Sequence, residues 1–349
     1  MKTQSVSSYM LANATRNILA KAQSELIKAQ QEGTTGFVFD KGLTLGSRTG
    51  QSISLRKEYD RLSVLTDTNG VIKERMTTSQ NALTSIIKGT QDLLSTVTAM
   101  SGGAAGRAVA VDKAKNLMQS TTELLNSSFN GEYIFAGVNT DVKPLADYDA
   151  AGGPARAAVL QSFQDYFGFP TTDPQTANIT PAAMKDYLDT AFAGEFDAAS
   201  WSANWSSASD TLVKSRIAPT EIAETSVSAN SAGFRQMAMA MTMVAELGNI
   251  GLSQSALDEV VGKASKTTTD AITALADTQA FLGNAQARTK DATDRLAVQL
   301  NVFNSSVLDL EAVDPNEAAT RVNALTTQIQ ASYALTVKIQ SLSLLNYLK

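Results

Sequence analysis

The sequence predicts a mainly α protein. Both chain ends build a long antiparallel helical rod of coiled-coil type, and a smaller domain, mixed α/β or β-containing, is inserted between them. Apolar residues recur at alternating steps of three and four over 55–97 and again over 257–310, the spacing of packed helices. Six of the seven prolines, with both tryptophans, Trp201 and Trp205, are confined to the stretch from Pro144 to Pro219. That shift in composition marks a region of different character between two helical halves.

The first element is a helix over about Val6 to Gln31, rich in Ala, Lys, Gln and Glu, with a seam at Leu19, Ala22, Leu26 and Ala29. Glycines 33, 36, 42 and 46 interrupt it. With Phe37, Val38 and Phe39 among them, they predict a loop carrying an apolar plug. Helix resumes near Ser47, where Leu55, Leu62, Leu65, Ile72, Met76, Leu83, Ile86, Leu93 and Val97 keep the seam despite Asn69 and Ser79. Unbroken, it would extend about 75 Å at 1.5 Å per residue. A third helix follows the turn at Ser101–Gly103, with Ala110, Ala114, Leu117, Thr121 and Leu124 inward.

At Asn130–Gly131 the pattern changes to a tight-turn signal before β-preferring Tyr133, Ile134 and Phe135. The region 140–225 holds the prolines and much of the aromatic content and should pack as a separate domain, with strand near Thr211–Val227. Helix returns after Ser228. Met237, Met239, Met241 and Met243 alternate there in a period-two pattern, but Met and Ala favour helix, with Phe234, Met241, Val244 and Ala245 inward. From Leu257 to Leu310 one seam position is mostly large and the other mostly small, which lets a neighbouring backbone approach.

The last helix starts at Asp314, a capping residue followed by Pro315, with Glu317 placed for a capping box. Val322, Leu325 and Ile329 form one stripe, whereas Leu335, Val337, Ile339, Leu342, Leu344, Leu345, Tyr347 and Leu348 cover more than one face. It reads either as a buried helix of an ordinary bundle or as an assembly segment covered only when copies stack. The divisions are therefore 1–46 (N-terminal assembly helix and loop), 47–139 (N-terminal half of the rod and its β-turn exit), 140–225 (inserted domain), 226–313 (C-terminal half of the rod) and 314–349 (C-terminal assembly helix). Candidate interface residues are Leu19, Leu26, Val322, Leu325, Ile329, Leu335, Ile339, Leu342, Leu344, Leu345 and Leu348.

Composition narrows the chemistry. The chain has no cysteine and no histidine, which removes disulfides, thiolate and imidazole metal ligands, and Ser-His-Asp or cysteine nucleophiles. A net charge of -5 offers no basic surface for nucleic acid or anionic lipid. No apolar run reaches the ~18 residues of a membrane span. The N-terminus lacks the apolar core of a cleaved signal peptide. Gly102, Gly103 and Gly106 precede a helix but follow another, with no Lys-Ser/Thr after them, so they mark a turn and not a phosphate cradle. Asp291 with Asp294, or Glu221 with Glu224, could serve acid-base work or hold a cation, but Arg288 and Arg295 beside the first pair point to a solvated helix face. Trp201 and Trp205 suit a local core better than a stacking platform. No enzyme activity, metal or cofactor is expected; glycoside hydrolysis by two carboxylates of the inserted domain is the enzymatic alternative.

Several words of the sequence together resemble the flagellin family, and within it the branch that joins hook to filament. They are ELIKAQQEGTTG with LGSRTGQSISLRKEYDRL at the N-terminal side, NGEYIFAGVNTDVKP at the exit into the middle, VSANSAGFRQMAMA at the return, and the ending QASYALTVKIQSLSLLNYLK. FVFDKGL (Phe37 to Leu43) is more apolar than the family's loop, and residues 145–210 match nothing familiar. The resemblance implies a non-enzymatic adaptor ring of copies, with terminal helices that order on assembly. Its implied partners are itself, a neighbouring hook-associated protein, flagellin, and an export chaperone at the C-terminal part. It also implies type III export without a cleaved signal, to the extracellular flagellum. The filament subunit shares the same ends, and the helical pattern alone would suit a coiled-coil protein of another type III secretion system.

Overall fold

The structure is a computed structural model that describes residues 8–347, with side chains for Met10 and for 13–338. It is mainly α. Helices α1 (Ser8–Thr35), α2 (Lys41–Leu45), α3 (Thr49–Thr98) and α4 (Ala104–Leu125) precede a hairpin of β1 (Ser128–Phe129) and β2 (Glu132–Tyr133). Helices α5 (Pro154–Phe167), α6 (Pro181–Asp189), α7 (Ala191–Gly194) and α8 (Ala198–Asn204) lead to a second antiparallel hairpin, β3 (Lys214–Ala218) with β4 (Glu221–Glu224). Then come α9 (Ala232–Leu247), α10 (Gln254–Glu311) and α11 (Pro315–Tyr347).

Local chemistry sets these boundaries. Asp314 Oδ1 accepts from the Asn316 amide at 2.8 Å and Pro315 occupies the first turn, so α11 starts where the sequence places it. Glu317, expected to reach back in a capping box, instead pairs with Arg321 one turn on at 3.0 Å. Asn130 and Gly131 both adopt positive φ, 53° and 85°, which a two-residue hairpin turn matched to strand twist requires. The strands are short because Ile134, Phe135 and Ala136 leave the ladder and are fully buried.

The chain divides into two compact units, Met1–Val64 with Ala297–Lys349, and Leu65–Leu296. In the second, the later part of α3 runs antiparallel to the earlier part of α10. Asn69 Nδ2 donates to Thr293 Oγ1 at 3.1 Å, and Gln80 Nε2 to the Gln279 carbonyl at 2.9 Å. Met76, Leu83, Ile86 and Leu93 meet a core shared with Ala264, Ala271, Leu275 and Leu282. A side chain at Gly89 would begin 2.4 Å from Leu117, so glycine is what admits α4 against α3.

Helix α9 explains its own odd pattern. Every residue over 237–248 is buried, Glu246 included, so the alternating methionines reflect a helix covered on all sides. Where the sequence suggests a separately packed insertion, Phe163, Tyr187, Phe192, Trp201 and Trp205 belong to the same continuous core as α3, α4, α9 and α10. Trp201 and Trp205 stack at 5.1 Å and are buried. Arg156 of α5 reaches Glu246 at 2.8 Å and Tyr148 donates to it at 3.3 Å, so the insertion is tied by polar contacts as well. The Tyr148 hydroxyl is pushed up mainly by burial, then by the Glu246 charge.

The β3–β4 hairpin has its own small cluster of Ile217, Ala218 and Ala223 with Ala292 of α10. Buried Asn69 donates to the Ile217 carbonyl at 2.8 Å. Arg288 and Arg295 do not serve the Asp291 and Asp294 face; both reach Glu221 of the hairpin, at 3.1 and 2.8 Å, while Asp294 pairs with Lys290.

Candidate assembly interface

In the first unit, α1 and α11 lie antiparallel. Gln23 Nε2 donates to Tyr333 Oη at 2.9 Å, Arg321 reaches Glu32 at 2.8 Å, and Ala318 Cβ lies 3.7 Å from where a side chain at Gly33 would begin. Thr15, Ala22 and Ala29 recur every seven residues along the buried side of α1, and Ala318 and Ile329 are buried on α11. Small residues at the centre let the two backbones approach closely.

This pairing accounts for part of the candidate interface. Ile329 is buried, and Leu19, Leu26, Val322 and Leu325 are half-buried on the sides of α1 and α11 that carry the covered residues. Leu335 stands apart, 53% exposed. The side chains of Ile339, Leu342, Leu344 and Leu345, and Leu348 as a whole, lie outside the described residues.

The pair leaves apolar surface uncovered. Ile18 and Ile27 on α1, and Val337 beside Leu335 on α11, are more than half exposed. The seam reading passes over Ile18 and Ile27 because they lie off its stripe. Among the described residues, thirteen of the twenty exposed large apolar side chains belong to this unit, which holds about a third of the chain. Isolated surface apolar residues are ordinary, so what sets this unit apart is their concentration.

Between the helices the 36–46 loop is braced. The Val38 amide donates to the Glu311 carbonyl and the Val313 amide to the Gly36 carbonyl, each at 2.9 Å. The Phe39 amide donates to Glu32 Oε1 at 3.0 Å. Phe37 and Val38 are half-buried, but Phe39 and Leu43 face outward, so only the first half of the expected plug is one.

Glu311, the last residue of α10, organises the corner. Its side chain is fully buried and accepts from Ser52 Oγ, from Arg56, whose Nε lies at 2.8 Å, and from Lys41 Nζ at 2.8 Å. The Arg56 hydrogen bond, helped by Lys41 and Ser52 and opposed by burial, holds this carboxyl down at about 2. In turn Glu311 raises the Arg56 guanidinium. Nothing in the sequence marks Glu311, since a glutamate ending a long helix is normally solvated.

Two family models match the chain. That of the bacterial flagellin N-terminal helical region covers residues 6–140, and that of the C-terminal helical region covers 265–348. The chain belongs to the flagellin family. The matched segments include α1 and α11, so both helices of the candidate interface lie in the family's own regions. The flagellin-family chain is a structural component of the flagellum, an extracellular organelle in which it meets copies of itself or other flagellar proteins. It is similar in structure to a Vibrio parahaemolyticus protein described as flagellar hook-associated, at 11% identity and a TM-score of 0.43, over 76% of this chain and 95% of that one. No curated protein matches it. Among the described residues no helix is long and apolar enough to cross a membrane, and no group of three or more acidic side chains could hold a metal ion.

Proposed function

We propose that this chain is an adaptor of the hook–filament junction, the role of hook-associated protein 3: a ring of copies on the hook side onto which the flagellin filament is built. The observation that carries the reading is the concentration of exposed apolar side chains in the unit made from both chain ends. Such a unit gains by burying that surface against neighbours, at about 25 cal/mol per Å² less the ordering cost. The ending SLLNYLK and the word YIFAG favour a junction protein over a filament subunit. This reading carries no catalytic role and takes the partners that the family resemblance implies: itself, a hook-side neighbour, flagellin, and an export chaperone at the apolar C-terminal part before type III export without a cleaved signal.

Deleting the gene tests this. Bare hooks with flagellin shed into the medium are expected. Bare hooks without shed flagellin would make the chain the filament subunit, and normal filaments would overturn both readings.

A further inference from the structure

The β3–β4 hairpin is a sheet of two strands, and one edge of it overlooks α10. The Thr225 amide donates to the Val213 carbonyl at 2.9 Å, and in an antiparallel pair such bonded positions alternate with positions whose amides and carbonyls turn outward. Ser215 with Ala223 is the next bonded pair in this register, so Ile222 and Glu224 point their backbone groups away from β3. Arg288 Nη2 of α10 donates to the Ile222 carbonyl at 3.3 Å, which shows where that edge faces. The Ile222 amide and both backbone groups of Glu224 have no partner among the described residues. Natural sheets blunt such an edge with a lysine, a proline or a bulge. Here the bulge falls on β3, between Arg216 and Ala218, and β4 has neither Lys nor Pro.

Beside the edge runs a groove of about 650 Å³, lined by Ile222 and Ala223 on the hairpin and by Phe281 and Ala285 on α10. Ile222 is 53% exposed and Phe281 40%. At Glu224 and Phe281, which line both, the groove continues into a hollow of about 400 Å³ next to Leu212, Val227 and Asp277. From Asp277 to Arg288 the helix covers about 16 Å, the length of about five residues of extended chain. A free strand edge, a long narrow groove and an apolar lining together match an added strand, which pairs through its backbone and drops alternate side chains into the groove.

The two ends differ in charge. Asp210, Glu224 and Asp277 line the hollow with no Lys or Arg among the described residues there, whereas Lys214 and Arg288 line the other end. Asp210 accepts from the Asn230 amide at 2.8 Å, and Glu224 is 3.5 Å from Lys214. Asp277 is exposed and carries its charge without a cation beside it, so the hollow suits a basic side chain.

We propose that the β4 edge binds an extended segment of a partner protein as a third strand. The segment is apolar at alternate positions and carries a lysine or arginine at the end that reaches Asp277. This site lies outside the unit built from the chain ends and does not depend on a ring of copies.

The test uses the full chain, labelled with ¹⁵N, and three probes: acetyl-Arg-Val-Thr-Val-Ser-amide, the same peptide N-methylated along its backbone, and the same peptide with Glu in place of Arg. The arginine peptide should slow hydrogen exchange at the Ile222 and Glu224 amides, and the N-methylated one should not. The glutamate peptide should bind about fivefold more weakly, a surface-charge effect, and Asp277→Asn should erase that difference. Unslowed exchange at both amides, equal binding of the N-methylated peptide, or equal binding of the arginine and glutamate peptides would each overturn the proposal. So would a charge preference that survives in Asp277→Asn, because the basic end would then lie elsewhere. Protection of the same amides that rises with protein concentration in the absence of peptide would give the edge to a second copy and overturn it too.

Discussion

Arg56 of α3 closes over the carboxylate of Glu311 at the end of α10, its Nε 2.8 Å from Oε1, and so joins the two halves of the chain across 255 residues. A fully buried carboxylate is costly unless every oxygen is met, and here Ser52, Arg56 and Lys41 meet both. Removing it would leave two cations and a hydroxyl facing a void, whereas keeping it fixes where α2, α3 and α10 converge.

The pH dependence has a definite sign. Glu311 drops from an ordinary 4.5 to about 2 in the folded chain, so its stabilisation is complete above the unfolded value and is lost as pH falls from about 4.5 toward 2. With Arg56 and Lys41 about two-fifths exposed, solvent screening reduces this to roughly 2 kcal/mol. Hydrogen exchange at the Val38 and Val313 amides should show protection falling through that window. In Glu311→Gln protection should start lower, by about 3 kcal/mol, and stay flat. A wild-type profile as flat as the variant's would mean the carboxylate is not the latch.

Asn69 is expected to matter more than its place in an apolar seam suggests. Its amide satisfies the Ile217 carbonyl, and this contact helps dock the β3–β4 hairpin. Asn69→Ala should cost about 2 kcal/mol, since the Ile217 carbonyl is left unmet. Trypsin should then cut at Lys214 or Arg216 before any other site in the unit. Unaltered cleavage kinetics would show that the hairpin is held by Ile217, Ala218 and Ala223 alone.

The ion pairs on the same hairpin should do little. Arg288 and Arg295 are more than half exposed, so sharing Glu221 between them is a surface interaction. Glu221→Gln should cost under about 1 kcal/mol, and the difference should vanish in 1 M salt, where charges are screened within roughly 3 Å. A salt-independent loss above that size would indicate a buried network instead.

These three positions also show what the sequence could carry. Long helices were legible because apolar periodicity and caps such as Asp314 are local, and the Asn130–Gly131 turn was legible because only a few residue pairs accept two positive φ values. The insertion's merger into one core was not, because Trp201, Phe163 and Met241 state that they are buried but not against what. Glu311 and the pairing of Arg288 and Arg295 with Glu221 were hidden for the same reason: partners 67 to 270 residues away leave no spacing signal. At the interface, the seam identified Leu26 and Ile329 but not the outward Leu43, since exposure of one apolar residue in a short helix has no period.

The stacked tryptophans test the shared core. Trp201→Ala should cost about 4 kcal/mol, the upper range for an aromatic removed from a packed interior. Because Trp205 stacks on Tyr148 as well, at 5.1 Å, its near-ultraviolet signal should weaken in the same variant. A loss confined to the insertion, with α9 amides as protected as before, would show that the insertion melts by itself.

The terminal pair separates folding from assembly. Leu335 and Val337 are in water in the single chain, so Leu335→Asp with Val337→Asp should change its unfolding free energy by no more than about 0.5 kcal/mol. On the proposed reading the same two charges would be buried against a neighbour, where each unpaired carboxylate costs several kcal/mol. Purified variant should therefore melt like the parent, yet fail to restore filaments in cells lacking the gene. Restored filaments would place this stretch of α11 outside the contact and move the interface toward Ile18, Ile27 and positions Leu342 and Leu345 further along the chain, which substitution with Asp would then probe in the same assay.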